Sequence, residues 1–160
     1  MKRAKPSVNG RTRRESSNVP DRYRGLITAA ALECSSDNVT AALIAGILKE
    51  ESDFNATFSD PATASYGIAG WTPSVFDAWI PRDGKHHDYM NPGDAVPAVS
   101  RYLCWLNQEF DRAHLTGDRQ TLLAAGYQTS SATVITARGV PPQVARFASA
   151  VMRYTRDYAS

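Results

Sequence analysis

Glu51 stands where an acid is out of place. Across residues 39–55 the apolar side chains Val39, Leu43, Ile44, Ile47 and Leu48 recur at helical spacing. At about 100° per residue they point in one direction, with Glu51 about 30° from the centre of that stripe and Glu50 about 70° from it. A carboxyl among aliphatic side chains, at the negative end of a helix, loses the solvation its charge needs. Its pKa rises toward the range in which it donates a proton at neutral pH. That is the chemistry of a general acid. Glycosidic cleavage needs one, because the leaving oxygen must be protonated as the ring moves toward an oxocarbenium-like transition state. The alternative is a frayed helix end with Glu51 pointing to water.

Other constellations offer less. In the segment Asp83-Gly84-Lys85-His86-His87-Asp88-Tyr89-Met90-Asn91 a lysine and two histidines occupy the middle, where a calcium loop needs oxygens at alternate positions. Adjacent histidines without a third spaced ligand read as a solvated loop rather than a zinc site, and His114 reads as a surface residue. The chain shows no Ser-His-Asp arrangement, phosphate loop or dinucleotide fingerprint. Neither a metal nor an organic cofactor is expected.

The elements that must position Glu51 are helical. The spacing of Tyr23, Leu26, Ile27, Ala30 and Ala31 predicts a helix over 22–33, and Ser35-Ser36-Asp37 offers a break and a cap for a second over 38–53. Residues 54–65 read as loop, and a short helix over 73–80 is expected to be capped by Thr72. A long amphipathic helix starts at Asp94, carries Val96, Val99, Tyr102, Leu103, Leu106 and Phe110 on one face, and is expected to end at Gly117. Short helices over 119–125 and 130–138 follow. After Gly139-Val140-Pro141-Pro142 a last helix repeats Val144, Phe147, Val151, Tyr154 and Tyr158. No strand pattern is visible, so the class is all-α.

With 160 residues, 42% hydrophobic and 21% charged, the chain can build one core and hardly a second domain. No apolar run reaches the ~18 residues needed to cross a bilayer, so stable membrane insertion is not expected. The start also lacks the apolar stretch of a secretory signal. A net charge of +2 is too small to argue for nucleic acid, and much of the basic excess sits in Lys2, Arg3, Lys5, Arg11, Arg13 and Arg14. Residues 1–20 are expected to be a flexible basic leader, with contact to an anionic surface as the alternative, and 21–160 a single domain. Cys34 and Cys104 allow one bridge or two free core thiols.

The sequence resembles the lysozyme-like soluble lytic transglycosylases, in particular small exported actinobacterial ones, over most of 23–154. The family's first signature, an apolar helix ending in Glu-Ser, then Phe-Asn and a later Ser, is matched by Glu51-Ser52, Phe54-Asn55 and Ser59. Its second is similar to Gly67-Ile68-Ala69-Gly70-Trp71-Thr72-Pro73, with Gly70 in place of the family's Gln. Its third resembles Gly126-Tyr127-Gln128-Thr129-Ser130-Ser131, with Gln128 in place of an Asn, and Gly139-Val140-Pro141 resembles the Gly-x-Pro before the final helix.

The resemblance implies a lysozyme-like fold, a disulfide between Cys34 and Cys104, and a monomer acting on peptidoglycan in the cell wall or outside the cell. A phage origin or a truncated start would fit the missing signal. It makes Glu51 a single acid, then base, that forms a 1,6-anhydro ring on N-acetylmuramic acid. Ser52 and Tyr127 become positioning groups, and the backbone of Gly67, Ile68, Ala69 and Gly70 lines the groove, where missing side chains let a sugar come close. Trp71 and Gln128 join them in contacting substrate. One alternative is a hydrolytic muramidase with Asp60 or Asp77 holding a water. The other is a wall-binding protein that keeps only the fold.

Overall fold

The structure is a computed structural model and describes residues 18–159, so the leader expected over 1–20 falls almost wholly outside the described residues. Among them are seven α-helices: α1 (Asp21–Leu32), α2 (Ala41–Ser52), α3 (Pro73–Asp77), α4 (Pro92–Arg112), α5 (Arg119–Gln128), α6 (Ser131–Ala137) and α7 (Ala145–Ala159), the last preceded by a 3-10 turn at Pro142–Val144. The all-α class holds, with one addition. Strands β1 (Ser59–Asp60) and β2 (Ser65–Tyr66) pair antiparallel, Ser59 opposite Tyr66 and Asp60 opposite Ser65, and Tyr66 bridges onward to Trp71. Strands of two residues leave no alternation in a sequence, and this hairpin was not expected.

Most helix starts follow cap chemistry. Thr40 Oγ1 accepts from the Leu43 amide at 3.1 Å, an Asp118 carboxylate oxygen from Thr121 at 3.0 Å, and Ser130 Oγ from Thr133 at 3.1 Å. Each supplies a partner for an orphan donor of the first turn, and losing such a cap costs about 1 kcal/mol. Ser35-Ser36-Asp37 does not cap α2. Ser36 Oγ instead accepts from the Asn38 amide and from Asn107 Nδ2, which ties the α1–α2 turn to α4. Thr72 sits at the start of α3 but makes no side-chain cap, and α3 stops at Asp77 rather than at residue 80. The long helix α4 starts at Pro92, two residues early, capped by Asn91. It ends at Arg112, where His114 turns left-handed (φ 54°) before Gly117 is reached.

Helix α2 forms the centre of the core. Leu43, Ile44, Ile47 and Leu48 are all fully buried, and α4 adds Val96, Val99, Leu103, Leu106 and Phe110. Its crossing with α7 depends on Gly46: a Cβ there would lie 2.7 Å from Thr155 Oγ1 and 2.8 Å from the Val151 carbonyl. Any larger residue forces these helices apart. Cys34, just after α1, is bridged to Cys104 on α4 with Cα atoms 5.8 Å apart, across 70 residues. A link over a loop of that length stabilises by roughly 4 kcal/mol in the chain-entropy account.

The end of α2 is abrupt. Asp53 and Phe54 both adopt left-handed backbone (φ 55° and 60°), while their amides reach back to the carbonyls of Lys49 and Leu48. For a phenylalanine that conformation costs on the order of 1–3 kcal/mol. Burial of its ring, edge-on to Tyr158 at 6.2 Å, offsets the strain. The chain therefore turns sharply one residue after Ser52 and runs into the hairpin. Glu51 is left on the last turn of a buried helix.

Candidate active site

Glu51 opens into a cleft of about 200 Å³ whose walls are Thr63, Ser65, Gly70, Trp71, Thr72, Val75, Tyr102, Tyr127, Gln128 and Thr129. No other acid among the described residues lines it. Burial, followed by the charge of neighbouring Glu50, pushes the Glu51 carboxyl up to about 8. No donor among the described residues is hydrogen-bonded to it, so nothing there offsets the loss of water. At neutral pH it is mostly protonated and free to donate. Exposed Glu50 is also raised by burial, with Arg153 pulling the other way.

The residues expected around Glu51 separate into those that face the cleft and those that stand behind it. Gly70, Trp71, Tyr127 and Gln128 face it. Ser52, Gly67, Ile68 and Ala69 do not. Ser52 is buried, and its Oγ donates to the Ile68 carbonyl at 2.6 Å and accepts from the Asn55 amide at 3.2 Å. Ile68 and Ala69 are fully buried. Gly67 (φ 78°) lacks a side chain because of its own protein: a Cβ would lie 2.2 Å from the Tyr89 carbonyl. The close approach expected of a sugar is made there by the loop before α4.

Tyr127 and Trp71 also differ from expectation. The Tyr127 hydroxyl donates to the Ala69 carbonyl at 2.7 Å, and its ring is buried against Trp71 and Tyr102 at 5.5 and 5.6 Å. Burial, then the Glu51 charge, then Tyr102 hold its pKa well above the ordinary tyrosine value, so it stays protonated. Trp71 is 2% exposed, and its indole N–H donates to the Ala95 carbonyl at 2.9 Å. Both contribute an aromatic wall rather than an open face for stacking. Gln128 is exposed at the rim.

Six lining residues were not foreseen: Thr63, Ser65, Thr72, Val75, Tyr102 and Thr129. Thr63 and Ser65 lie in a polar loop that carried no signal beyond its composition, and Tyr102 was read as core. Tyr102 does donate to the Gly126 carbonyl at 3.2 Å, and burial pushes its hydroxyl up to about 12. Hydroxyls and an amide over aromatic walls suit a neutral, polyhydroxylated ligand. Of the two acids considered as water-holders, Asp60 accepts from Thr63 Oγ1 at 2.9 Å and Asp77 is exposed on α3, and neither is among the lining residues.

Larger hollows lie elsewhere. One of about 330 Å³ between α1, α2 and α7 has only exposed Arg24 and Asp157 as charged walls, and one of about 400 Å³ beside Pro141 and Pro142 has none. A third, of about 230 Å³ beside Cys34 and Trp105, has exposed Glu33 as its acid, so none of the three holds a buried one, which is why the smaller cleft is the candidate. No family model, curated protein or solved structure matches the chain. The geometry of the site and the motif resemblance are what speak to its chemistry.

The loop carrying His86 and His87 is largely exposed, as expected, but His87 is tied to two carboxylates. His87 Nε2 lies 2.9 Å from an Asp83 oxygen and Nδ1 3.1 Å from an Asp94 oxygen. Only a doubly protonated ring donates to both. Among the described residues no three His, Cys, Asp or Glu side chains are grouped as metal ligands.

Proposed function

We propose that the protein is a lysozyme-like lytic transglycosylase that cleaves the β-1,4 bond between N-acetylmuramic acid and N-acetylglucosamine in peptidoglycan. The observation that carries this reading is a carboxyl in a polar cleft with no hydrogen-bond donor on it and no second acid in the lining, among the described residues. Glu51 gives its proton to the glycosidic oxygen as the C1–O4 bond breaks. The resulting carboxylate takes the proton of the same sugar's 6-hydroxyl while O6 bonds to C1. Glu51 is reprotonated, a 1,6-anhydro ring is formed, and no water is consumed. A glycosidase that proceeds through a second carboxylate, as nucleophile or as base, needs that group across the sugar. Here Asp60 and Asp77 are outside the cleft lining, which favours the intramolecular route over hydrolysis.

The Cys34–Cys104 bridge suits an oxidising compartment such as the cell wall. No helix among the described residues is long and apolar enough to cross a membrane. The test is incubation of the protein and its Glu51→Gln variant with purified peptidoglycan, followed by mass spectrometry of released fragments. Anhydro-ended products that vanish in the variant are expected. Reducing ends instead would establish a hydrolase, and absence of products together with co-sedimentation with sacculi would establish a wall binder.

A further inference from the structure

We propose that Gly70 is a positioning residue for Glu51: it leaves empty the space in which the carboxyl is seated, and the turn around it is fastened so that this space is kept. A Cβ on Gly70 would lie 2.0 Å from Glu51 Oε2, 2.8 Å from Cδ and 3.3 Å from Cβ. Real side-chain atoms do not approach so closely. The group in conflict is the proton-donating oxygen itself. Gly70 also holds a left-handed backbone (φ 62°) that other residues adopt only with strain. The long amide side chain expected at this position from the resemblance has no room beside Glu51.

The turn cannot retreat to make room. Three helices hold it by side chain and backbone: Ser52 at the end of α2 donates to the Ile68 carbonyl, Tyr127 of α5 donates to the Ala69 carbonyl, and Ala95 of α4 accepts from the Trp71 indole. Trp71 and Tyr66 exchange backbone hydrogen bonds at 2.8 and 3.0 Å, and the Gly70 amide donates to the Gly67 carbonyl at 3.1 Å. Residues 68, 69 and 71 are thus each pinned, which leaves residue 70 pressed on the acid. Main chain on this side shields the carboxyl from water, and its burial there is the first cause of its raised pKa.

The consequence for catalysis rests on Glu51 being the acid of the proposed reaction, but the positioning is measurable without substrate. The experiment is a carbon-13 NMR titration of the Glu51 carboxyl in the wild type, in Gly70→Ala and in Ser52→Ala, with the pH profile of glycan cleavage alongside. In folded Gly70→Ala the carboxyl is pushed out of its seat. Its pKa is expected to fall by about one unit or more, a tenfold change in the proton equilibrium, and the alkaline limb of the pH profile to move with it. Ser52→Ala keeps the glycine and unfastens one anchor, so a smaller shift in the same direction is expected. It decides the matter if Gly70→Ala does not fold. An unshifted Glu51 in the folded variants overturns the proposal. A shifted Glu51 in a protein that cleaves no glycan overturns the enzymatic reading and leaves the positioning intact.

Discussion

Glu51 and Asp94 are both carboxyls in the terminal turn of a long helix, and their surroundings move them in opposite directions. Glu51 sits at the C-terminal, negative end of α2, where burial and Glu50 raise it to about 8 with no donor to compensate. Asp94 sits in the first turn of α4, at the positive end. Burial raises it too, but the Asp88 amide at 3.0 Å and His87 outweigh that and hold it below the ordinary aspartate value. Burial alone therefore does not make an acid. The absence of donors does, and it separates a group available for proton transfer from one committed to holding a loop.

The largest expected effect comes from removing the unpaired acid. Glu51→Gln should lower glycan cleavage by about a thousandfold or more, the scale of a lost general acid, while leaving the fold intact. The comparison makes a sharper demand on stability. Because the folded pKa of Glu51 lies above the ordinary 4.5, the unfolded chain loses its proton first. Stability contributed at low pH therefore declines as pH rises from about 4.5 to about 8. Urea unfolding should find wild type and Glu51→Gln alike near pH 4 and the variant more stable at pH 8. Asp94→Asn should show the reverse sense, being less stable than wild type at pH 6. If Glu51→Gln is destabilising at pH 8, the carboxyl has partners and the contrast between the two ends fails.

A smaller effect is expected from the turn that seats Glu51. Tyr127→Phe leaves the Ala69 carbonyl buried without its donor. Loss of such a bond costs about 1–3 kcal/mol, read from urea midpoints at pH 6. A change near zero would mean that the carbonyl finds another donor and that the turn is not held from α5.

How much of this was legible in the sequence depended on whether the signal was periodic. Glu51 was visible because the aliphatic residues Leu43, Ile44, Ile47 and Leu48 fix the phase of α2, and a carboxyl within about 30° of that phase is conspicuous. The disulfide came from resemblance, since two cysteines alone left free thiols equally open. The cap of α2 was misread because the helix starts at Ala41 rather than at 38: Thr40 takes the N-cap, and Ser36, four residues earlier, accepts from Asn38 and Asn107 instead. The hairpin was too short to alternate. The glycines of 67–70 were recognised as close-approach positions, but composition cannot say what approaches. It is Tyr89 at Gly67 and Glu51 at Gly70, both from the chain itself.

His87 gives the finest test of the comparison, because its effect should be small and confined to a pH window. Its hydrogen bond to Asp83, then that to Asp94, raise its pKa above the ordinary 6.5. Its contribution is therefore complete below about 6.5 and disappears as pH rises through the raised folded value. Asp83, lowered first by His87 and then by the Lys85 amide, and Asp94 contribute above the ordinary 3.8, and that contribution disappears as pH falls through their lowered values. The three overlap between about 4 and 6.5. His87→Ala should thus lower the urea midpoint slightly at pH 5, less in high salt because the pair with Asp83 is partly exposed, and leave it unchanged at pH 9. The loop it anchors carries Tyr89, whose ring packs on Tyr66 and Phe76 and whose carbonyl meets Gly67. Loosening it should reach the hairpin as faster amide exchange at Gly67 without moving the Glu51 titration, since residues 68, 69 and 71 keep their own anchors. A midpoint shift of equal size at pH 5 and pH 9 would show that His87 acts by packing rather than by charge, and the contrast between a paired and an unpaired end would then rest on Asp94 and its amide partner alone.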